Sequence, residues 1–160
     1  MLTAIETIIL CIVFFVLCFL GTGSDEKNLK SYSSYPDEVQ NKIKQIKEYK
    51  GKYKESSKLS SFISNFILFL IILFVLGIFI RTDSFWHNFM CLSIIGQGLN
   101  LFDLLIIDLV WWRNSTRIRF SKIPQKELYY NPQKHVQSFF RALIMYFLVA
   151  LVNGYLLTLF

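Results

Sequence analysis

The chain has 160 residues, 54% hydrophobic and 17% aromatic, with 16 Phe and a formal net charge of +6. Its mean hydropathy of +0.44 excludes an ordinary soluble domain, and its long apolar runs make it a polytopic membrane protein. Spans take about half of the chain, which predicts one membrane domain over residues 1–160 and no separate soluble domain with a large core.

The first apolar run is Leu2 to Leu20, with Glu6 as its only ionisable side chain. A signal peptide would carry Lys or Arg before the apolar core and would have a shorter core, so the run reads as a retained span. Cys18 follows the bulky Leu17, where a lipoprotein signal wants a small residue. Residues 21–61 form a long loop that opens on the helix-breaking Gly21-Thr22-Gly23-Ser24. Within it, Ser34, Pro36, Asp37 and Glu38 signal a helix start. Val39, Ile43, Ile46, Tyr49 and Tyr53 then make one apolar stripe among lysines. That pattern predicts a basic amphipathic cytosolic helix. Either it packs on the protein's own cytosolic face, or it lies on the membrane with Lys42, Lys47, Lys50 and Lys54 on anionic lipid headgroups. Lysine without arginine or a recognised motif is a weak nucleic-acid footprint, and no nucleic-acid partner is expected.

The second span is residues 62–80, with Asn65 in its first turn. The third, residues 85–112, carries Gln97, Asn100, Asp103 and Asp108 inside an apolar helix. Trp86 and Trp111 lie roughly 38 Å apart along a helix, the spacing of the two aromatic belts of a bilayer. On a helical wheel with Gln97 at zero, Asn100 falls at roughly −60°, Asp103 at −120° and Asp108 near 20°. Gln97 and Asn100 sit near the bilayer centre and Asp103 about 6–7 Å from it. A carboxyl group at that depth should face a partner or a wet cavity, or carry its proton. Asp108 is near the interface and is expected to pair with Arg141 or Arg113.

Residues 113–137 form a second basic loop. Arg117 to Lys122 alternates polar and apolar, as in a short strand or an interfacial extended piece, with Arg117 and Arg119 as further headgroup contacts. Asn114-Ser115-Thr116 matches a glycosylation sequon, without meaning on the cytosolic side. Asn131-Pro132 reads as cap and first residue of the last helix, which enters the membrane near Ser138 and spans residues 138–160, past Asn153.

Of the 17 Lys and Arg, nine lie in 21–61 and seven between Arg113 and Arg141. Both loops should therefore be cytosolic and both termini outside, in an inner or plasma membrane. Span alternation agrees, since the first and third loops of a four-span protein share a side. Cys11, Cys18 and Cys91 read as small apolar residues. His87 and His135 fall on opposite sides, and no metal or cofactor motif occurs.

Gly21 to Asn28, Tyr35-Pro36 with Gln40, and Asp103 to Arg113 (DLLIIDLVWWR) resemble a group of small bacterial membrane proteins loosely labelled transporter permeases. The resemblance covers most of the chain and implies no catalytic residue.

These features define an all-α, integral membrane four-helix bundle with three possible functions. A transport-related protein would use Gln97, Asn100, Asp103 and Asn153 as an intramembrane polar site, with Asp103 as the proton or cation group. Otherwise the three amides are interhelical glue. A membrane enzyme acting on a lipid or lipidated substrate would use His135 with Tyr129, Tyr130, Arg117 and Asp108. An accessory subunit would join a homo-oligomer or a larger membrane complex.

Overall fold

The computed structural model describes residues 1–55 and 57–159. Ser56, in the first long loop, and Phe160, the expected end of the last span, lie outside the described residues. Elements follow as α1 (Leu2–Leu20), α2 (Asp25–Lys30), α3 (Asp37–Gln45), α4 (Lys58–Ile80), α5 (Phe85–Phe102) and α6 (Gln133–Leu156). The helix of α5 continues over Asp103–Trp112 with π winding. Four helices are long and apolar enough to cross a membrane, and no β-strand occurs among the described residues.

Helix starts follow local hydrogen-bond chemistry. The Ser57 side chain accepts from Ser60 N at 3.1 Å, so α4 begins at Lys58, four residues ahead of the apolar run. Ser24 accepts from Lys27 N at 3.3 Å and starts α2 where the sequence shows no period. Outward-facing side chains form an apolar belt, from 51% exposed at Ile67 to 69% at Phe79, that suits hydrocarbon rather than water.

The bundle core is built from Leu73, Leu92, Ile95, Leu99, Val149 and Ala150, all 1% exposed or less. The most extensive helix pair is α5 with α6, which approach closely through glycine. A Cβ at Gly154 would meet the backbone of Phe89 at 3.2 Å, and one at Gly96 would meet the Tyr146 ring at 2.8 Å. In turn, α1 lies on α5 and α4 on α6, while α1 and α4 hardly touch. That leaves a gap between them on one side of the bundle.

A second core sits at one end of the bundle, where both basic loops fold together. Leu29, Tyr35, Val39, Ile43, Phe120 and Tyr129 are each 2% exposed or less. About 70 loop residues enclose a small aromatic core, which includes Trp112. The amphipathic helix is also shorter than its stripe. It ends at Gln45, Ile46 is extended, and a single 3₁₀ turn over Lys47–Tyr49 follows. The bend brings Tyr49 into the same core as Val39 and Ile43, so the apolar stripe is covered by protein and is not free to lie on lipid. Residues 117–122 form turns with one isolated bridge, Phe120 to Ile123, rather than a short strand or an extended piece.

Side chains fasten this cap to itself. Tyr35 Oη donates to Ile118 O at 2.8 Å, and Asn28 Nδ2 donates to Arg117 O at 3.0 Å. Tyr129 Oη donates to Ile123 O at 2.8 Å and accepts from Phe120 N at 3.1 Å. Asp25 accepts from Ser121 N at 2.9 Å and from the hydroxyls of Ser121 and Tyr49, each at 2.5 Å. Burial works to raise the Asp25 carboxyl, but those hydrogen bonds and the Lys122 charge outweigh it and hold it below its ordinary value. Burial pushes the Tyr129 hydroxyl up to about 12 and Tyr35 well above its usual range.

Candidate functional site

The π winding of residues 103–112 decides which side chains face each other. In a π-helix the residue five along, rather than four, completes the turn. Asp103 and Asp108 are therefore stacked on one side, where α-winding would set them roughly 140° apart. This corrects the wheel drawn for a uniform α-helix. The same winding stacks Ile107 and Trp112, which are 2% and 7% exposed. π winding is rare and occurs mostly as single-turn bulges in α-helices, frequently at functional sites.

Asp103 and Asp108 wall a cleft of about 1090 Å³ in the cap-side half of the bundle. The cap-side turns of α1 and α4 form its flanks, through Leu17 and Cys18 on one and Lys58, Ser64 and Phe69 on the other. Its floor is apolar, with Leu99, Met145 and Tyr146. Its mouth is cationic, with Lys44, Lys54, Lys58, Lys134 and Arg141. Lys44 is bridged to Glu55 at 3.1 Å and Lys134 to Asp37 at 2.7 Å. Lys54 and Lys58 have no ion-pair partner among the described residues. The cavity is amphipathic and lies beside the gap between α1 and α4.

In the wall of this cleft, His135 Nδ1 lies 2.8 Å from Asp108 Oδ1, with the side chains 9% and 13% exposed. The proton between them sits on Nδ1 when the carboxylate is ionised, so Nε2 is the free face of the neutral ring. Nε2 is buried and has no hydrogen-bond partner among the described residues. The Trp112 ring meets the imidazole edge-on, with centroids 5.4 Å apart. The expected pairing of Asp108 with Arg141 or Arg113 is not made. Arg113 donates to Tyr130 O through Nε at 3.1 Å and through Nη2, while Arg141 Nη2 donates to Ser138 Oγ at 2.8 Å. The reason is position: His135 opens α6 on the same level as Asp108, and the two arginines lie further along or beyond the π segment.

The remaining sequence candidates separate cleanly. Gln97 Nε2 donates to Leu143 O at 3.0 Å, Asn100 Nδ2 to Phe139 O at 3.3 Å and Asn153 Nδ2 to Leu70 O at 2.9 Å. All three amides thus tie one helix to the backbone of another, and of them only Asn100 also reaches the cleft. Asp103 makes no hydrogen bond or ion pair among the described residues and faces the cleft. Lys42, Lys47 and Lys50 are exposed on the cap, away from the cleft, which Lys54 does border. Arg117 is committed to the end of α1: Nη2 donates to Phe19 O at 3.2 Å and Thr22 O at 3.1 Å, with the guanidinium 3.9 Å above the Phe19 ring. It satisfies carbonyls that a helix C-terminus leaves open. Arg119 is half-buried in the cap. Asn114 Nδ2 of the sequon donates to Val110 O at 2.8 Å and closes the π segment.

Sequence reasoning missed Trp112, which reads as one of a belt pair. Neighbours on a helix point about 100° apart, and here the two adjacent tryptophans take different sides. Trp111 stands against Phe15 on α1, and Trp112 is turned inward.

The fold and the cleft define a small all-helical protein with four helices long and apolar enough to span a membrane and a folded cap at one end of them. Compared with family models, curated proteins and solved structures, the chain matches none.

Proposed function

We propose that the protein is a membrane enzyme that takes a lipid-type substrate into the cap-side cleft and moves a proton on it through the Asp108–His135 pair. The observation that carries this reading is the buried imidazole of His135, a residue lining an amphipathic cavity, held by a carboxylate at 2.8 Å and with its second nitrogen unpaired among the described residues. Asp108 fixes the orientation of the ring through Nδ1, and Nε2 is the atom that takes or gives the proton. The cap faces the cytosol by the excess of Lys and Arg in its two loops. The substrate head reaches the cleft at the cap-side interface, and its chain stays with the bilayer through the gap between α1 and α4.

A transport-related reading draws on Asp103, an unpaired carboxyl one π turn deeper in a cleft that opens at one end. The two readings part on mutation. Lipid extract incubated with the protein in vesicles, then analysed by mass spectrometry, is expected to show one lipid converted by the wild type and by Asp103→Asn but not by His135→Ala. Conversion by His135→Ala would refute the enzyme reading. Proton-linked flux in liposomes that Asp103→Asn abolishes would favour transport.

A further inference from the structure

We infer that the end of α5 far from the cap holds a soft monovalent cation of the copper(I) class, bound by His87 Nε2, Cys91 Sγ and the thioether of Met90. The site lies at the opposite end of the bundle from the cleft and does not depend on the enzyme reading. The Ser84 side chain accepts from His87 N at 3.4 Å and caps α5, which sets His87 in the first turn and Cys91 one turn further in. Cys91 Sγ lies 3.7 Å from His87 Nε2. With bonds of about 2.3 Å to sulfur and about 2.0–2.1 Å to nitrogen, an angle of roughly 110–120° at a shared ion sets the two donors roughly 3.5–3.8 Å apart. The observed separation falls in that range. Met90 shares their side of the helix: at 100° per residue it stands roughly 60° to one side of His87, with Cys91 roughly 40° to the other. Its side chain is 59% exposed, unbranched and free to swing its sulfur onto the pair. His87 is exposed and Cys91 half-buried, so an ion reaches both from outside the bundle.

The donor set selects the ion. Thiolate and thioether are soft ligands that favour copper(I) over hard cations. Among the described residues no group of three or more His, Cys, Asp and Glu is placed to hold a metal ion, so a closed four-ligand zinc site is not built. Copper(I), with its filled d shell, accepts three ligands. Charge agrees with that choice. A thiolate and a monovalent ion cancel, and the imidazole and thioether are neutral. A divalent ion would leave a positive charge beside the positive N-terminal end of α5, where the exposed Arg81 and Asp83 of the preceding turn cancel one another. Binding forms bonds from the ion to both sulfurs and to Nε2, and the thiol proton is released to water. The imidazole enters neutral, with its proton on Nδ1. No electron is transferred.

The test uses the full chain in maltoside detergent under nitrogen, with Cys11 and Cys18 replaced by alanine so that Cys91 is the remaining thiol. Copper(I) is offered as its bicinchoninate complex, whose colour fades as the protein takes the ion. One equivalent per chain is expected, with two sulfurs and one nitrogen around the ion by X-ray absorption. Cys91→Ser should take none. His87→Ala and Met90→Leu should each bind at least about tenfold more weakly, the loss that follows removal of even an outer partner of a metal site. The unaltered chain and its Cys91→Ser variant should differ by the same one equivalent, and circular dichroism checks that every variant keeps its helices. Uptake retained by Cys91→Ser, unchanged affinity in His87→Ala or Met90→Leu, or zinc held as tightly as copper(I) would overturn the site.

Discussion

In the cap, Tyr35, Tyr49 and Tyr129 bury their rings and still place every hydroxyl on a partner. In the bundle, Leu73, Leu92, Ile95 and Val149 fill the core without a polar atom, and a few amides reach across to backbone carbonyls. The difference is the one expected between a core closed in water and four helices apolar enough to cross a membrane. Water drives the apolar faces of two loops together, so the cap is a miniature soluble core. A bilayer would offer the four apolar helices no such drive, and the bundle is held by close approach at Gly96 and Gly154 and by hydrogen bonds from amides to backbone carbonyls, which would have no competitor in hydrocarbon. The π segment joins the two regimes. Its last residue, Trp112, belongs to the cap core and touches His135 at the cleft.

The sharpest way to break this comparison is Phe120→Ala. Phe120 is 1% exposed and lies against Tyr35 and Tyr49 at 5.0 and 5.4 Å between centroids. Its loss should cost about 3–5 kcal/mol, opening the two loops to protease while circular dichroism still reports the four long helices. Equal loss of both regions would mean that they form one cooperative unit.

Gly154→Val strikes the other regime. The branched side chain meets the Phe89 backbone, which cannot yield as a flexible side chain does. A cost of about 1–3 kcal/mol is expected, read as a lower unfolding temperature in detergent with the protease resistance of the cap unchanged.

Acid should separate the regions further. The Asp25 carboxyl, held below its ordinary 3.8, contributes stability that is fully present above that value and is lost as pH falls through the lower folded one. The cap is thus expected to loosen in acid at pH values under 3.8 before the bundle does. Asp25→Asn should weaken the cap at neutral pH and erase that acid step. An unchanged acid profile in the variant would assign the step elsewhere. The smallest effect belongs to Asn153→Leu, which removes one interhelical hydrogen bond worth about 0.6 kcal/mol; a loss of several times that would show Asn153 to be more than a pin.

The four apolar helices were legible because lipid-facing residues need no pattern beyond length and hydropathy. The cap was not, since its core is assembled from Leu29, Tyr35, Val39, Phe120 and Tyr129, residues drawn from two loops and 81 to 100 positions apart across them. No local period announces such contacts. The stripe through Val39, Ile43 and Tyr49 was visible, but not the surface that covers it. Within the site, Asp103 and Asp108 stood out as charges in an apolar run. Their common face was hidden by the π winding, which the sequence does not announce. Asp108 and His135 could have been joined by depth alone, since both lie at the cap end of their helices; guanidinium groups drew the pairing away because they are the commoner partners of a carboxylate.

The central claim is a cleft that opens toward the cap and is walled by α4 on one side. In a chain whose three cysteines are replaced by alanine, Ser64→Cys lies in the cleft wall and Ile67→Cys on the outer face of the same helix. In vesicles, a membrane-impermeant maleimide should label Ser64→Cys from the cap side alone and leave Ile67→Cys unlabelled. Labelling of Ser64→Cys from the opposite side, or equal inertness of the two positions, would contradict it.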